Sequence, residues 1–414
     1  MKICVMTLGC KVNKYESDAL IYNLRLQGYD ATDKLGVADI FVINTCAVTK
    51  EAEKKSRQMI ARCRKFNPKA KIFVCGCASQ HNKEQFVEKG VDFVSGVAGK
   101  IKIASHLASH SKRLWALPKE YEDDMIAEPS RMRAYIKIQD GCNNFCSYCI
   151  IPYLRGRSRS RPIISILNEV ALLPEDIKEI VLTGINVTDY KIDGTPALLT
   201  LLEQLDPFGK RLRLSSMEES LVSEEFVAGV HKLKNFCPHF HLSLQSGSAS
   251  VLKRMNRKYT PEEFLQSVQR IRKYFPLAGI TTDVIVGFPG ETDDEFEETV
   301  AFIKKVKFSS LHIFQYSERT GTVASKTMKD LPASIKQKRF ERLEEVKKQL
   351  QLEFFKKVKS AHVLVEEKEG DYFVGYSENY IKCYISSKED LIGKILPVKI
   401  GKPYGEGVYA KIGG

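Results

Sequence analysis

The sequence predicts an α/β protein built from a parallel-sheet domain, an incomplete βα barrel and a small C-terminal β-barrel. Three observations support this fold class. Strand-like apolar runs alternate with helical stretches near the N-terminus, the alternation resumes for six units in the middle, and about 55 C-terminal residues show only short strands and turns. Alternating strands and helices are typical of parallel sheets covered on both faces. We therefore expect domains at residues 1–112, 128–350 and 355–414.

The composition indicates a folded protein with a polyanionic partner. The chain has 414 residues, 43% of them hydrophobic, with 11 cysteines and a formal net charge of +13. No apolar run approaches the length of a membrane span, and the N-terminus lacks the layout of a signal peptide. We therefore expect a cytoplasmic protein without a membrane partner. In a reducing compartment the cysteines are expected to bind metal rather than form disulfides, and the net charge favours a polyanion.

The first domain is expected to form a Rossmann-like parallel sheet. Strands are predicted at residues 2–8, 39–44, 71–74 and 91–95, and helices at 15–26, 49–66 and 81–88. Asn13 and Glu16 are three residues apart and predict a capping box at the start of the first helix. Ligands of such sheets bind beyond the carboxyl ends of the strands.

Three cysteines fall at those strand ends. Cys10, Cys46 and Cys77 follow the first, second and third predicted strands. Cys75 is an alternative to Cys77, but Gly76 ends the apolar run and leaves Cys75 inside the strand. Free cysteines are often only small buried apolar residues, and that is our interpretation of Cys4, Cys63, Cys237 and Cys383. Three cysteines at equivalent strand ends instead predict a cluster site with three ligands.

The middle domain is expected to be a barrel of six strand–helix units with one open side. Its strands are predicted at residues 134–139, 179–184, 211–217, 239–245, 281–288 and 310–316, and its helices at 163–173, 197–205, 223–233, 261–274 and 293–306. Thr292 and Glu295 predict a capping box for the last of these helices. The open side would admit a large substrate, and barrel chemistry lies at the strand C-termini.

A cysteine motif follows the first barrel strand, where that rule places catalytic groups. Cys142, Cys146 and Cys149 lie within eight residues. Three thiolates can bind three irons of a four-iron, four-sulfur cluster and leave the fourth iron open, as in catalytic rather than structural metal sites. The alternative is a zinc knuckle, but no second Cys or His pair lies near. The spacing resembles the signature of radical SAM enzymes, in which S-adenosylmethionine binds the open iron.

Basic residues concentrate in two segments. Residues 50–71 contain nine Lys and Arg and residues 131–162 contain seven, including an alternating run of Arg155, Arg157, Arg159 and Arg161. Basic runs are usually solvated surface. The position of the four arginines beside the cysteine motif instead favours contacts with phosphate. Between the first two domains, residues 115–130 are polar, acidic and interrupted by prolines, which predicts a linker.

The C-terminal region begins with a charged amphipathic helix predicted at residues 334–359. Short strands are predicted at 362–366, 372–376, 380–385, 395–400 and 407–412. Small β-barrels of this kind often bind nucleic acid. From residue 347 to the end, twelve lysines face nine acidic residues, so a purely structural appendage is an equally good interpretation of the composition.

Together these features resemble the methylthiotransferase family of radical SAM enzymes over nearly the whole chain. The matching segments are residues 7–13, 44–46, 76–77, 141–161, 182–186, 242–247, 255–257 and 283–291. The resemblance implies an N-terminal domain with an auxiliary four-iron, four-sulfur cluster, a radical SAM core and a C-terminal TRAM domain that binds RNA. It assigns the auxiliary cluster to Cys10, Cys46 and Cys77, and the S-adenosylmethionine-binding cluster to Cys142, Cys146 and Cys149.

The segment from Leu8 to Ser17 looks like the bacterial branch that adds a methylthio group to carbon 2 of threonylcarbamoyladenosine at position 37 of tRNA. That resemblance implies the tRNA anticodon stem-loop and an electron donor of unknown identity as partners. The alternatives are methylthio transfer to isopentenyladenosine in tRNA or to a ribosomal protein. An alternative of another class is a non-enzymatic iron–sulfur protein that binds RNA or senses redox state.

An aromatic C–H is too weak an acid for a side-chain base at neutral pH, so the reaction needs a cofactor for its hard step. We hypothesise reductive cleavage of S-adenosylmethionine at the Cys142 motif and delivery of a methylated sulfur from the auxiliary site. Residues near S-adenosylmethionine are weaker predictions, since strand polarity facing solvent would explain several of them equally well. They are Tyr148, Gly184, Glu218, Ser243 and Gln245.

Overall fold

The N-terminal part of the protein is a five-stranded parallel sheet. The computed structural model describes residues 1–107, 116–123, 125–129 and 132–413. The sheet has the strand order β2-β1-β3-β4-β5, and every pair of neighbours is parallel. Its elements are β1 (Lys2–Thr7), α1 (Lys11–Leu26), β2 (Asp30–Thr32), β3 (Ile40–Thr45), α2 (Lys50–Phe66), β4 (Lys71–Gly76), α3 (Cys77–His81), α4 (Glu84–Val87) and β5 (Phe93–Val94).

Three details of this part differ from the prediction. The short strand β2 was not predicted, and the single helix predicted at residues 81–88 is two short helices, α3 and α4. The predicted capping box is wrong, because α1 begins at Lys11 and its N-cap is Cys10. Asn13 lies inside the helix and donates to the carbonyls of Leu8 and Thr45, 2.8 and 2.9 Å away. Glu16 is a buried ion-pair partner.

The middle part is a row of six parallel strands with helices outside. Its elements are β6 (Arg133–Lys137), β7 (Gln139–Asp140), α5 (Ile151–Arg155), β8 (Arg159–Ser160), α6 (Ile163–Ala171), β9 (Glu179–Thr183), β10 (Lys191–Ile192), β11 (Thr195–Pro196), α7 (Leu198–Leu205), β12 (Arg211–Leu214), α8 (Glu224–His231), β13 (His239–His241), α9 (Ala249–Arg254), α10 (Pro261–Tyr274), β14 (Gly279–Val286), α11 (Asp293–Val306), β15 (Ser310–Gln315) and α12 (Val323–Thr327). The six predicted strands correspond to β6, β9, β12, β13, β14 and β15.

These six strands form an open barrel. Two three-stranded sheets, β12-β9-β6 and β13-β14-β15, are joined by the parallel bridges Leu212↔Phe236 and Met217↔Leu242. The two edges of the row are therefore β6 and β15. The edge at β6 packs against α1 of the N-terminal part, and the edge at β15 packs against the long helix α13 (Ala333–Lys357). The open side of the barrel thus faces the N-terminal sheet.

The C-terminal part is a closed five-stranded barrel in the order β16-β17-β18-β20-β19. Its strands are β16 (Ser360–Glu369), β17 (Tyr372–Ser377), β18 (Lys382–Ile385), β19 (Ile395–Tyr404) and β20 (Gly407–Ile412). It docks on the beginnings of the core strands. Arg213 of β12 donates to the carbonyls of Glu378 and Ser377 at 3.0 and 3.2 Å, and Arg211 donates to the carbonyl of His362 at 2.8 Å. The predicted fold class is confirmed in all three parts.

The segment predicted as a linker is instead packed between the first two parts. Residues 116–123 and 125–129 contain no helix or strand, as expected, while the ends of the prediction at Trp115 and Ser130 lie outside the described residues. Met125 and Ala127 are buried beside Tyr15 of α1, and the Tyr15 hydroxyl donates to the carbonyl of Met125 at 2.9 Å. This segment therefore fixes the N-terminal sheet to the core rather than separating them.

A buried ion pair joins the same two parts on another side. Arg319, in the loop after β15, donates to Glu53 of α2 at 2.6 Å, and both side chains are almost fully buried. Burial alone would raise the pKa of Glu53, but hydrogen bonds from His81 and Arg319 lower it to about 2. None of the helices among the described residues has the length and apolarity that a membrane span requires.

Candidate active site

The loop that carries Cys142, Cys146 and Cys149 leaves the hairpin of β7 and β8 and is held by backbone contacts. The amide of Cys142 donates to the carbonyl of Gly156 at 3.1 Å, and Asn256 donates to the carbonyl of Phe145 at 3.0 Å. Gly141 enters the loop with φ +73°, and a Cβ there would lie 2.0 Å from the carbonyl oxygen of Arg157. Only glycine fits this close approach. The conformation of the loop is thus held by contacts within the protein.

Cys142 and Cys149 of this loop are desolvated, and Cys146 lies beside a cation. Burial raises the pKa of Cys142 to about 11 and that of Cys149 to about 12, and the neighbouring Cys146 thiol adds to both shifts. Arg257 places its Nη1 3.3 Å from Cys146 Sγ. Metal ligation requires thiolates and releases their protons, and an adjacent guanidinium stabilises the resulting negative charge. The loop therefore offers three thiols that could hold a metal cluster.

The second group of thiols lies at three adjacent strand ends of the N-terminal sheet. Cys10 follows β1, Cys46 follows β3 and Cys77 follows β4, and all three line one cavity of about 590 Å³. Cys46 and Cys77 are buried, whereas Cys10 is exposed to the cavity. Burial raises the pKa of Cys46 to about 12, with Cys77 and Cys10 contributing to the shift. Cys75 lies within β4 and packs into the core.

The polar groups around these cysteines include one donor that no described residue satisfies. Arg155 lines the same cavity, and its buried Nε has no hydrogen-bond partner among the described residues. A cluster sulfur or cysteine thiolate would be an acceptor for that N–H, since charge-assisted hydrogen bonds satisfy such donors.

The same arginine is the centre of a buried ion network between α1 and the core. Its Nη1 donates to Glu16 and Asp140 at 3.0 Å each, and its Nη2 donates to Asn13 at 2.8 Å. Lys100 and Lys137 also contact Glu16. Burial would raise the pKa of Glu16, but these three cations hold it well below its ordinary value. The network therefore stays ionised and ties the thiol-bearing end of the N-terminal sheet to the hairpin that leads to Cys142.

The prediction that four arginines contact phosphate is wrong for three of them. Arg155, Arg159 and Arg161 are buried, and each pairs with carboxylates of the protein. Arg161 contacts Glu169 and donates to Asp123 at 2.7 Å. Arg157 alone is exposed, with its guanidinium 4.5 Å from the ring centroid of Phe145. Arg155 and Arg161 contact Glu16 and Tyr15 of α1 and thus lie at the interface between the sheet and the barrel, whereas Arg159 pairs with Asp140 inside the barrel part.

Three of the other five predicted residues line two cavities. Gly184 lines the 590 Å³ cavity, and a Cβ there would lie 2.9 Å from the Gln139 amide oxygen. Tyr148 and Gln245 line a neighbouring cavity of about 210 Å³ together with Cys149. Two cavities that share lining residues are neighbours, and four residues line both: Val48, Ile151, Asp283 and Phe314.

Glu218 and Ser243 lie beside the cysteine loop. Glu218 pairs with Arg257 at 2.7 Å and accepts from Asn144 at 2.7 Å. Ser243 contributes its backbone carbonyl, which accepts from Arg257 at 3.3 Å and from the Tyr259 hydroxyl at 2.7 Å. The interpretation of these polar groups as ordinary strand polarity facing solvent does not hold for Glu218, whose carboxylate is tied to the cysteine loop.

Several groups in the large cavity were not predicted. His241 lies 3.3 Å from Asp283 and 2.9 Å from the Thr281 hydroxyl, and its ring is 5.4 Å from that of His312. Burial would raise the pKa of Asp283, but the hydrogen bond from His241 lowers it below its ordinary value. Lys11 also lines this cavity. The sequence signal for these groups was their position. His241, His312 and Asp283 lie on predicted barrel strands, and Lys11 follows Cys10.

Comparison with known proteins matches residues 136–303 to the Radical SAM superfamily and residues 2–96 to the Uncharacterized protein family UPF0004. A protein of Bacillus subtilis (strain 168), named threonylcarbamoyladenosine tRNA methylthiotransferase MtaB, is 39% identical over 98% of this chain and 96% of its own length. The chain belongs to the radical SAM tRNA methylthiotransferases. An Acetivibrio thermocellus relative named tRNA-2-methylthio-N(6)-dimethylallyladenosine synthase is 35% identical over 96% of this chain and 88% of its own.

Membership in the radical SAM tRNA methylthiotransferases implies S-adenosylmethionine, a four-iron, four-sulfur cluster and a tRNA substrate. Among solved structures, the radical S-adenosylmethionine methyltransferase TsrM from Kitasatospora setae matches with a TM-score of 0.57. It is 13% identical and covers 78% of this chain and 77% of its own. At that identity the likeness shows a common fold alone. It agrees with the predicted α/β architecture of the sheet and the open barrel.

Proposed function

We propose that this protein transfers a methylthio group to carbon 2 of threonylcarbamoyladenosine at position 37 of tRNA. The observation that carries the proposal is the single cavity in which Cys10, Cys46 and Cys77 meet the strand ends of the barrel. A site that brings a second triad of thiols to the mouth of a radical SAM barrel suits a sulfur transfer. The choice of nucleoside is supported by the name of the Bacillus relative, at 39% identity over 98% of this chain.

In this proposal the two triads of cysteines have different roles. Cys142, Cys146 and Cys149 hold the cluster that binds S-adenosylmethionine, and Arg257 stabilises the Cys146 thiolate. Cys10, Cys46 and Cys77 would hold an auxiliary cluster, and the Arg155 Nε–H, which has no partner among the described residues, lies in the same cavity. The chemistry supplied by the bound cofactors is reductive cleavage of S-adenosylmethionine with radical activation of the nucleoside and transfer of a methylated sulfur. The neighbouring cavities around Ile151 leave space for both reactants between the triads.

The weaker site residues are assigned by their places in those cavities. Tyr148 and Gln245, beside Cys149, are proposed to contact S-adenosylmethionine from the smaller cavity. Gly184 leaves room for the close approach of a ligand to the strand end. Glu218 and the Ser243 backbone are proposed to keep Arg257 directed at Cys146. They act on the cofactor through the arginine.

A groove that adjoins the large cavity provides a path for the anticodon stem-loop. It has a volume of about 380 Å³ and lies between α13, β15 and the C-terminal barrel, and Thr281, His312 and Tyr380 line both the groove and the cavity. Lys347, Lys348 and Lys382 also line it. The barrel adds a cluster of tyrosine rings with centroids 4.1 to 6.3 Å apart, formed by Tyr372, Tyr384, Tyr404 and Tyr409.

These two surfaces combine the features that bind single-stranded RNA, a basic groove and aromatic rings for stacking. Tyr404 is 38% exposed, so its ring is accessible to a base. An electron donor is also required by the proposed chemistry, and the electron must reach the Cys142 loop. We therefore propose tRNA and an external reductant as the partners of this enzyme.

The alternative substrate favoured by a specific observation is dimethylallyladenosine, since relatives such as the Acetivibrio protein carry that name at 35% identity. The decisive assay uses anaerobically reconstituted protein with dithionite, S-adenosylmethionine and tRNA that carries either nucleoside at position 37. We expect mass spectrometry to find the methylthio product of threonylcarbamoyladenosine together with 5′-deoxyadenosine, and Cys146→Ala to form neither.

Other outcomes of that assay would identify the rivals. Product only from the dimethylallyl tRNA, or only on a ribosomal protein, would reassign the substrate. Failure to form deoxyadenosine with any substrate would favour a non-enzymatic iron–sulfur protein. Iron and sulfide analysis of the wild type and of a Cys10/Cys46/Cys77 triple alanine variant tests the second cluster. We expect the triple variant to lose about half of both elements, because one of two equal clusters is removed.

A further inference from the structure

Lys11 presents a cation to the active-site cavity without a partner among the described residues. It is the first residue of α1 and directly follows Cys10. Its side chain lines the 590 Å³ cavity and is exposed to it. In the described part of the chain, no hydrogen bond or ion pair involves its ammonium group. This distinguishes it from the other cations that line the cavity or adjoin it.

The neighbouring charged groups are already committed to protein partners. Arg155 uses both of its Nη groups on Glu16, Asp140 and Asn13. Asp283 accepts from His241 at 3.3 Å, and the charge of Lys11 also acts on Asp283 across the cavity. The Lys11 ammonium is therefore the uncommitted charge between the Cys10 end of the cavity and the barrel wall.

An uncommitted ammonium in a partly desolvated cavity is costly unless a ligand supplies an anion. The substituent of threonylcarbamoyladenosine ends in a carboxylate, which is an acceptor for a charge-assisted hydrogen bond. A dimethylallyl substituent is a hydrocarbon and offers no acceptor, so it would leave the ammonium unpaired. One positive charge in this cavity would therefore suffice to distinguish the two nucleosides.

We propose that Lys11 binds the carboxylate of the threonyl group and thereby selects threonylcarbamoyladenosine over adenosines that lack an acidic substituent. This inference rests on the proposed function and specifies which residue recognises the substrate. The position of Lys11 beside Cys10 would hold the nucleoside next to the auxiliary triad of thiols. Lys11 is a specificity-determining residue in this view, because it contacts a part of the substrate remote from carbon 2.

S-adenosylmethionine also carries a carboxylate, so the test has to separate the two sources. Binding is measured with reconstituted enzyme and three anticodon stem-loops, which carry threonylcarbamoyladenosine, its carboxamide analogue or plain adenosine at position 37. The variants are Lys11→Met, which removes the charge at similar length, and Lys11→Arg, which keeps it. Lys54→Met, on the exposed face of α2, is the matched control for loss of a positive charge.

We expect the wild type to prefer the stem-loop with the acidic nucleoside. Lys11→Met should weaken the binding of that stem-loop at least about tenfold, the scale of one charge-assisted hydrogen bond. Binding of the carboxamide and plain stem-loops should change by less than about threefold, and Lys11→Arg should restore most of the preference. Lys54→Met should affect all three stem-loops equally. Unchanged iron and sulfide contents and melting temperatures will show that the variants are folded. If Lys11→Met does not fold, Lys11→Gln takes its place.

Three results would overturn the inference. The first is equal binding of all three stem-loops by the wild type. The second is equally weakened binding of all three by Lys11→Met. The third is a Lys11→Met variant that loses affinity for S-adenosylmethionine but keeps its nucleoside preference. Failure of the proposed function would look different. An enzyme that selects the acidic nucleoside through Lys11 but attaches no methylthio group to it would retain this inference and refute the reaction.

Discussion

At the scale of single residues, Arg155 is the main link between the parts of the chain that carry the two triads of cysteines. It lies at the end of α5, directly after the Cys142 loop, and is fully buried. Its guanidinium contacts α1 through Asn13 and Glu16 and the core through Asp140. Loss of one member of a buried ion network leaves uncompensated charge in a low-dielectric region. Arg155 therefore stabilises the structure on both sides of the active-site cavity.

Replacement of Arg155 tests this role. We expect Arg155→Met to lower the free energy of unfolding by about 3 kcal/mol, because Glu16 and Asp140 keep only part of their positive neighbours. Arg157→Met is the matched control two residues away. It loses an exposed cation–π contact with Phe145 and should cost less than about 1 kcal/mol. Denaturant titration of both variants measures the difference, and equal losses would contradict the buried network.

The residues of the candidate site were predictable to different degrees. The six cysteines follow from spacing and from strand ends, because both are local properties of the sequence. The partners of Arg155 were not predictable, since Glu16 and Asp140 come from another helix and another strand. The alternating arginines therefore suggested a surface for phosphate, although the fold buries three of them. Lys11 was visible only as the residue after Cys10, and that it has no partner among the described residues is known only from the folded cavity.

At the scale of elements, long periodic segments were predicted well. Helices α10 and α11 have the bounds expected from their apolar spacing, and the capping box of Thr292 and Glu295 is confirmed. Short elements were not, as β2 and the break between α3 and α4 show. A three-residue strand gives too few positions for a pattern. The wrong capping box at Asn13 arose because a local motif competed with long-range contacts of the same side chains.

The confirmed capping box gives an element-scale prediction. Thr292 accepts from the Glu295 amide at 3.2 Å, and Glu295 accepts from the Thr292 amide at 2.9 Å. Thr292→Ala removes the first of these contacts and should destabilise the protein by about 1 kcal/mol. Thr292→Ser keeps a hydroxyl acceptor and should be close to the wild type. Thermal or denaturant unfolding distinguishes them, and equal stabilities for the two variants would refute the cap's contribution.

At the scale of the whole molecule, the three parts of the chain meet at one cavity. The N-terminal sheet supplies three thiols, the barrel supplies the polar wall, and the C-terminal barrel supplies Tyr380. The 380 Å³ groove beside α13 shares three lining residues with it. Composition alone did not distinguish an RNA-binding barrel from a structural appendage, since the lysines that line the groove come from two different parts of the chain. Their arrangement exists only in the folded molecule.

The groove predicts a specific effect on tRNA affinity. Lys348 is exposed on α13 and lines the groove, so Lys348→Glu should weaken tRNA binding and reduce the slope of log affinity against log salt by about 0.7 to 0.9 per lost phosphate contact. Lys304→Glu, on the outer helix α11, is the matched control. Filter binding across a salt series measures both. Identical slopes for the two variants would exclude the groove as a path for RNA.

Helix α5 has a further consequence. It begins two residues after Cys149 and ends at Arg155, whose guanidinium is fixed to the N-terminal sheet. Five helical residues rise about 7.5 Å, so Arg155 is held a short distance from the end of the Cys142 loop. Under the proposed reaction, the contacts of Arg155 with Asn13 and Glu16 tie this loop to the N-terminal sheet, and the nucleoside has to fit between the two.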